Sequence, residues 1–303
     1  MIEVKVNGKG YQFLTQYKDN DVLRKSFNAL TRKVYEFDFE KWYESGYWTD
    51  NCLLYSLADG DRIISHVTVN VIDFVVLNDD KRYVQLGTVM TDPEYRNQGL
   101  GRALMEIVLQ EWTSKCDLVY LFANDSVLDF YPKFGFVPVQ EYEAVYTVDK
   151  SYKVHPFRKM DMDNIEDRNL LHHIAQHAFP LSKISMKDNA GLVMFYAKYF
   201  DLFSLADDLY YIEDLNTIAI ATQEENTLIL YDVLTLSEVE IKEVFDTLIQ
   251  PDIEKVVLNF MPMNTDNYTV SPFKEENSTL FVLGDHEGLF QNNQLMFPLL
   301  SHT

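Results

Sequence analysis

No stretch constrains the fold of this chain more than residues 82–123. Residues 82–91 read as a strand, which runs through Asp92-Pro93-Glu94-Tyr95-Arg96-Asn97-Gln98-Gly99 into a helical pattern. Leu100, Leu104, Ile107, Val108 and Trp112 fall three to four residues apart, on one face of a helix of about four turns. Residues 118–123 follow as a short apolar run of strand length. Strand, helix and strand in so short a span predict a right-handed crossover between parallel neighbours, and so an α/β (α+β) chain.

The turn in this run has the makings of an anion site. The first amides of a helix lack internal partners and the helix dipole adds positive potential, so main chain alone can hold a diphosphate. Gly99 and Gly101 have no Cβ, and positive φ at both would let phosphate oxygens reach the amides of residues 98–102. Arg96 and Arg102 flank the turn with guanidinium groups suited to phosphate. An ordinary glycine-containing helix start with solvated arginines would show the same residues.

Val89-Met90-Thr91-Asp92-Pro93-Glu94-Tyr95-Arg96-Asn97-Gln98-Gly99-Leu100-Gly101-Arg102 resembles the cofactor signature of the GNAT superfamily of N-acetyltransferases. There, a strand ending before Pro leads into Arg-x-x-Gly-x-Gly, and every fixed position is filled. A P-loop would need Gly-Lys-Ser/Thr at its end and a dinucleotide fold a third glycine, and neither is present. Asn124-Asp125-Ser126-Val127-Leu128-Asp129-Phe130-Tyr131-Pro132-Lys133-Phe134-Gly135-Phe136 is similar to a second signature: asparagine, tyrosine seven residues later, then Lys-x-Gly-Phe. The joint match covers residues 82–138 well and the rest of the first half loosely. Pro132 departs from the pattern and would alter the end of a helix carrying Tyr131.

The resemblance implies a GNAT acyl-CoA N-acyltransferase fold, a mixed twisted sheet flanked by helices, with acetyl-CoA as cosubstrate. Its pantetheine arm would lie where strands 82–91 and 118–123 splay apart, pairing with the main chain of Val89, Met90 and Thr91. Its diphosphate would sit on Arg96, Asn97, Gln98, Gly99, Leu100, Gly101 and Arg102. Asn124 would hold an amide of the arm, or cap the turn that follows, or both. An N–H near Met90 would serve the oxyanion. Tyr131 matches the family's general acid, and a phenol with a pKa near 10 can protonate a thiolate whose acid lies near 8.5. Its alternative role is core packing. Asp92, Glu94 and His66 are the candidate bases, each equally open to a structural role, and water can relay the proton.

At 303 residues the chain is about twice the usual domain length, so two tandem domains are expected, 1–150 catalytic and 151–303 degenerate, with a break at Asp149-Lys150-Ser151-Tyr152. In the first half, helical spacing marks residues 21–35 and Val/Ile-rich strand marks residues 62–77. Beyond the break, residues 165–179 and 239–249 look helical, and 209–221, 227–234 and 253–260 look like strands, echoing the order of 82–123. No glycine occurs from residue 192 to residue 283, so a GNAT-like second domain would lack a phosphate loop. Ser237 reads there as a helix N-cap followed by acidic residues that would repel phosphate.

Charge and composition bound the partners. Residues 1–150 hold 16 Lys/Arg against 23 Asp/Glu, so the second half carries 14 of the 21 net negative charges. That field disfavours nucleic acid and suits cationic substrates. Residues 35–48 hold seven aromatics and four carboxylates, either an acceptor wall for a cationic amine or an amphipathic helix packed on the sheet. Cys52 and Cys116, the only cysteines, read as free core thiols, and no apolar run reaches the ~20 residues of a membrane span. His173 and His177 lie four apart on one helix face beside His172, but no carboxylate or cysteine nearby completes a metal set. The expectation is a cytoplasmic N-acetyltransferase acting on a primary amine of a small molecule or peptide, with no nucleic acid, membrane or metal, and with a homodimer open. The alternative is a non-enzymatic acetyl-CoA sensor or interaction protein.

Overall fold

A computed structural model describes residues 2–149, 154–200 and 202–302. Among them the strands form two sheets. The first runs β1 (Ile2–Val6), β2 (Lys9–Thr15), β3 (Cys52–Asp59), β4 (Arg62–Val76), β5 (Asp79–Thr91), β6 (Leu118–Ala123), β16 (Thr279–Leu283), β7 (Phe136–Pro138), with β10 (Ile184–Lys187) paired on the far part of β4. The second runs β15 (Thr269–Phe273), β8 (Glu141–Thr147), β14 (Lys255–Leu258), β13 (Thr227–Thr235), β12 (Thr217–Glu224), β11 (Leu209–Ile212), β9 (Phe157–Lys159). Residues 62–77 thus form one long strand.

Local chemistry sets the elements around the site. Helix α1 (Asp21–Tyr35) begins where Asn20 Oδ1 accepts the amides of Val22 and Leu23, and stops where Glu36 turns left-handed at φ 67°. It lays Phe27 and Leu30 on the sheet, while α2 (Glu40–Glu44) buries Trp42. Helix α3 (Leu100–Trp112) covers the opposite face with Leu100, Leu104, Met105 and Val108. Strand β4 is therefore buried on both sides, Ile63, Ile72 and Phe74 on the α1 face and Ile64, Val67 and Val69 on the α3 face. At roughly 1.5–3 kcal/mol for each such side chain, this double burial makes β4 the spine of the first sheet.

The order β4, β5, α3, β6 recurs as β12, β13, α6 (Ile241–Leu248), β14. In both, an antiparallel pair is followed by a helical crossover to a parallel strand: Tyr83 pairs with Leu118, and Thr227 with Lys255. Three details differ from expectation. Residues 209–221 are not one strand, because Glu213–Leu215 turns and Asn216 takes φ 47°. Glu240, rather than Ser237, occupies the N-cap of α6, since Thr235 Oγ1 donates to Ser237 O and holds it in the preceding turn. Helix α4 (Ile165–Gln176) is shorter than expected, ending at His177.

A boundary at residue 150 does not separate the sheets. Lys150, Ser151 and Tyr152 lie outside the described residues, but β8 before them sits in the second sheet, between β14 and β15. β16, from the far end of the chain, sits in the first sheet between β6 and β7. Each sheet receives in the same slot a strand from the other half. Short strands of either half carry compatible apolar alternation, and local periodicity holds no record of which sheet they complete. The exchange joins the cores: Phe297 stacks on Tyr120 at 4.1 Å, and Trp42 Nε1 donates to Gly191 O at 3.0 Å.

Candidate active site

β5 and β6 pair only through Tyr83–Leu118, Val84–Val119 and Gln85–Tyr120, although β5 continues to Thr91 and β6 to Ala123. Beyond that point they splay. On the other side of β5 the register with β4 slips between His66 and Thr68, and Thr88 is driven to φ 40°. That conformation is costly for a β-branched residue, of order 1–2 kcal/mol, and needs surrounding structure to hold it. A buried polar chain does so. Tyr17 Oη bonds Ser56 Oγ at 2.6 Å, Ser56 Oγ bonds His66 Nδ1 at 2.8 Å, and His66 Nε2 bonds Thr68 Oγ1 at 2.8 Å, with Thr68 Oγ1 bonded in turn to Thr88 Oγ1. Desolvation pushes the fully buried His66 down to about 3, so its ring is neutral.

Below the bulge, two β5 carbonyls meet side chains instead of a strand. Tyr35 Oη donates to Val89 O at 3.0 Å, and Arg96 Nε donates to Thr91 O at 3.3 Å. Val89 and Thr91 thus offer acceptors toward the splay, while the Met90 side chain points into the core.

The chain then enters the turn of residues 92–99. Asn97 takes φ 61° and Gly99 φ 83°, and α3 starts at Leu100 with no side-chain cap and no acidic residue in its first turn. The first bond of the helix is from Ala103 N–H to Gly99 O, 3.0 Å. Among the described residues the amides of Leu100, Gly101 and Arg102 have no partner. Gln98 is braced from the first hairpin, Asn7 Nδ2 donating to its carbonyl at 2.7 Å. Expectation and structure differ at Gly101, which is helical; Asn97 is the second left-handed residue, a role asparagine tolerates. A Cβ at Gly101 would meet Thr91 Oγ1 at 3.5 Å and Phe130 Cζ at 3.9 Å, ordinary contact distances, so neither φ nor packing within the chain requires glycine there. Arg96 and Arg102 are exposed, the latter stacked over Phe134 at 5.6 Å and 3.7 Å from Glu106.

After β6, the expected helix through Tyr131 is replaced by two 3-10 turns, Asp125–Val127 and Tyr131–Phe134, with Pro132 unable to donate in the second. Asn124 caps the first, its Oδ1 accepting Ser126 N–H at 3.1 Å. Tyr131 is 5 % exposed, packed against Phe130, Phe136 and Phe281, and its hydroxyl has no hydrogen-bond partner among the described residues. Burial raises its pKa, with the nearby Tyr35 phenol adding to the rise.

The candidate bases are tied up. Asp92 is 3 % exposed and accepts Lys33 Nζ and an Arg62 guanidinium N–H, both at 2.8 Å. Desolvation raises its pKa, but these partners and the Glu94 amide outweigh it and bring the carboxyl to about 2. Glu94 pairs with Arg62 at 2.8 Å, and His66 belongs to the bulge network. Within residues 35–48, Phe39, Trp42 and Trp48 stack into a cluster with Phe27 and Phe195, while Glu40 binds Arg24. Only Tyr35 of that segment reaches the β5 edge. His177 Nδ1 bonds His173 O at 2.9 Å, and no group of three metal-binding side chains occurs among the described residues. No helix among the described residues is long and apolar enough to cross a membrane.

Residues 297–302 form a wall the sequence pattern did not single out. Tyr120 Oη donates to Ser301 O at 3.3 Å, and the His302 ring stacks on Phe122 at 3.8 Å, on the face of β6 opposite α3. Nothing local marks two residues so far along the chain as neighbours of β6.

The unpartnered amides at the start of α3, the left-handed Gly99 beside them and the splay of β5 from β6 suit the diphosphate and arm of coenzyme A. The model of the acetyltransferase (GNAT) family matches residues 21–136. Similar solved structures include a conserved Enterococcus faecalis protein named as a probable N-acyltransferase, with TM-score 0.58 and 12 % identity over 94 % of this chain and 75 % of the other. Eis1 from Mycobacterium abscessus is similar at TM-score 0.57 and 12 % identity, over 89 % of this chain and 72 % of its own. A GCN5-related N-acetyltransferase from Kribbella flavida follows at 0.54 and 12 %, over 89 % and 71 %. At these identities the likeness is one of fold. The family match places a GNAT acetyltransferase domain at residues 21–136, and the solved structures share the fold of the chain.

Proposed function

We propose that the chain is an N-acetyltransferase that uses acetyl-CoA to acetylate a primary amine of a small molecule or peptide by direct attack. The observation that carries this reading is the splay of β5 from β6, opening beside three unpartnered amides at the start of α3. Leu100, Gly101 and Arg102 would bind the diphosphate through main chain, helped by Asn97, Gln98, Gly99 and the guanidinium groups of Arg96 and Arg102. Val89, Met90 and Thr91 would take the arm as an added strand, with the Tyr35 and Arg96 side chains giving way at the carbonyls they now hold. Asn124 can do two tasks at once, because its Oδ1 is used in the cap while its side-chain N–H groups have no partner among the described residues.

Acetyl-CoA supplies an activated thioester. The amine nitrogen bonds the acetyl carbon, the carbon–sulfur bond breaks, and the departing thiolate takes a proton from Tyr131, which burial keeps protonated at neutral pH. The proton shed by the amine passes to water, since Asp92 and His66 are committed elsewhere. That commitment also favours a second reading, a protein that binds acetyl-CoA without turnover. Thiol release across polyamines, aminoglycosides, amino acids and peptides separates the two: acceptor-dependent release supports the enzyme, and cofactor affinity with no release on any acceptor supports the sensor.

A further inference from the structure

A chain of aromatic side chains links β5 to β6 on the face opposite α3. Tyr35, whose hydroxyl meets Val89 O on β5, packs against Phe37 at 6.3 Å, and Phe37 meets Phe200 edge-on at 5.1 Å. Phe200 lies 5.8 Å from Tyr196, and Tyr196 Oη donates to the carbonyl of His302. The His302 ring stacks on Phe122 at 3.8 Å, which brings the circle back to β6. Phe122 lies past Gln85–Tyr120, the last pair between the two strands, so His302 stands over the splayed part of β6.

His302 is the decisive member. Its Nε2 is buried and has no hydrogen-bond partner among the described residues. Both tyrosine hydroxyls at this wall are spent on main chain, Tyr196 on His302 O and Tyr120 on Ser301 O. Leaving a buried ring nitrogen unmet costs roughly 1–3 kcal/mol, and a phenylalanine would stack on Phe122 without that cost. Packing therefore accounts for a ring at this position and not for its nitrogen. What a neutral Nε2 lacks is an N–H donor, and the splay beside it is where the amine would meet the thioester.

We propose that His302 Nε2 accepts an N–H of the attacking amine and takes its proton as the amine bonds the acetyl carbon. The inference rests on the acyltransferase reading and gives the amine proton its first stop on the way to water. The carbon–sulfur bond breaks and Tyr131 protonates the thiolate, leaving the amide and free coenzyme A. The His302 imidazolium then releases its proton to water and Tyr131 regains one from water, so both return to their starting forms. Burial, opposed more weakly by the Phe297 main chain, holds the His302 pKa down to about 3, so the ring is neutral before the amine arrives. A ring so hard to charge does not strip an alkylammonium of pKa near 10.4. The amine therefore enters uncharged, and its nitrogen gives up the proton only once bonding to carbon has made it acidic.

Thiol release from acetyl-CoA, with whichever amine of the acceptor panel the wild-type chain uses fastest, tests the assignment. His302→Phe keeps a ring on Phe122 and loses Nε2, so its kcat falls about a hundredfold while its melting temperature and its affinity for coenzyme A stay at wild-type values. His302→Ala leaves a space beside Phe122, and free imidazole in the buffer restores part of its turnover but none of that of His302→Phe. Wild-type turnover in His302→Phe overturns the assignment, and so does a loss that comes with a lowered melting temperature and that imidazole fails to relieve in His302→Ala. No thiol release by the wild-type chain on any amine of the panel, with coenzyme A bound, overturns instead the acyltransferase reading on which the assignment stands.

Discussion

Asp92→Asn separates a structural carboxylate from a catalytic one. The Asp92 carboxyl lies at about 2 against a reference of 3.8, and one pKa unit corresponds to about 1.4 kcal/mol. Net of the desolvation they overcome, the ion pairs and the capped Glu94 amide therefore contribute at most about 2.5 kcal/mol, less some screening, because Lys33 and Arg62 are half-exposed. A depressed carboxyl gives stability that is present above its unfolded pKa, near 4, and is lost as pH falls through 2. Urea unfolding of wild type and Asp92→Asn should thus differ by about 1–2 kcal/mol at pH 7 and converge near pH 2, with Lys33 left only its 4.0 Å pair with Glu94 in the variant. Turnover on a competent amine should fall severalfold at most, through a looser entry to the turn, and the acidic limb of its pH profile should stay. A loss of about a thousandfold in turnover with unchanged stability would refute the reasoning and return Asp92 to the role of base.

Two further outcomes follow. Tyr131→Phe removes a buried hydroxyl that has no partner among the described residues, so stability should hold or rise slightly while turnover falls about a hundredfold or more at unchanged coenzyme A affinity; intact turnover would end its assignment as the acid. A fragment ending at residue 150 lacks β16 and exposes the edges of β6 and β7, so it should show no cooperative thermal transition and should not bind coenzyme A; cooperative unfolding of that fragment would contradict the exchange.

What the sequence revealed and what it hid divide along physical lines. The crossover of residues 82–123 and the helix Asp21–Tyr35 are written in local periodicity, and the structure has them where the spacing put them. The echo of the same order in residues 217–258 was legible for the same reason, and the scarcity of glycine there matches a helix start at Ile241 without a left-handed residue beside it. The destination of β8 and β16 was not legible, because both are ordinary short strands and sheet pairing is non-local. Gly101 misled for a different reason. A glycine can mark positive φ or close packing, and only coordinates show that Gly101 is helical with ordinary contact distances for an added Cβ, while Asn97 takes the left-handed conformation. Pro132 did signal a broken helix, and two 3-10 turns stand there. The His66 chain drew on Ser56, Thr68 and Thr88, residues common in strands, whose alignment depends on register between three strands. His302 gave no signal at all, since nothing in its neighbours says that its ring will stack on a strand of the other half.

Gly99→Asp tests most directly whether the α3 start holds the diphosphate. The left-handed φ of 83° makes any side chain there strained by about 1–2 kcal/mol, but a Cβ has room, with Val6 Cγ1 at 3.5 Å and Asn7 Nδ2 at 3.6 Å. A carboxylate at the N-cap is also favourable to the helix itself, so the fold should survive with a melting temperature within a few degrees. The same carboxylate would meet the diphosphate at the amides of Leu100, Gly101 and Arg102. Calorimetric titration with coenzyme A should then show affinity about a hundredfold or more below that of the wild-type chain. Equal affinity for coenzyme A in the two proteins, both folded, would contradict the account.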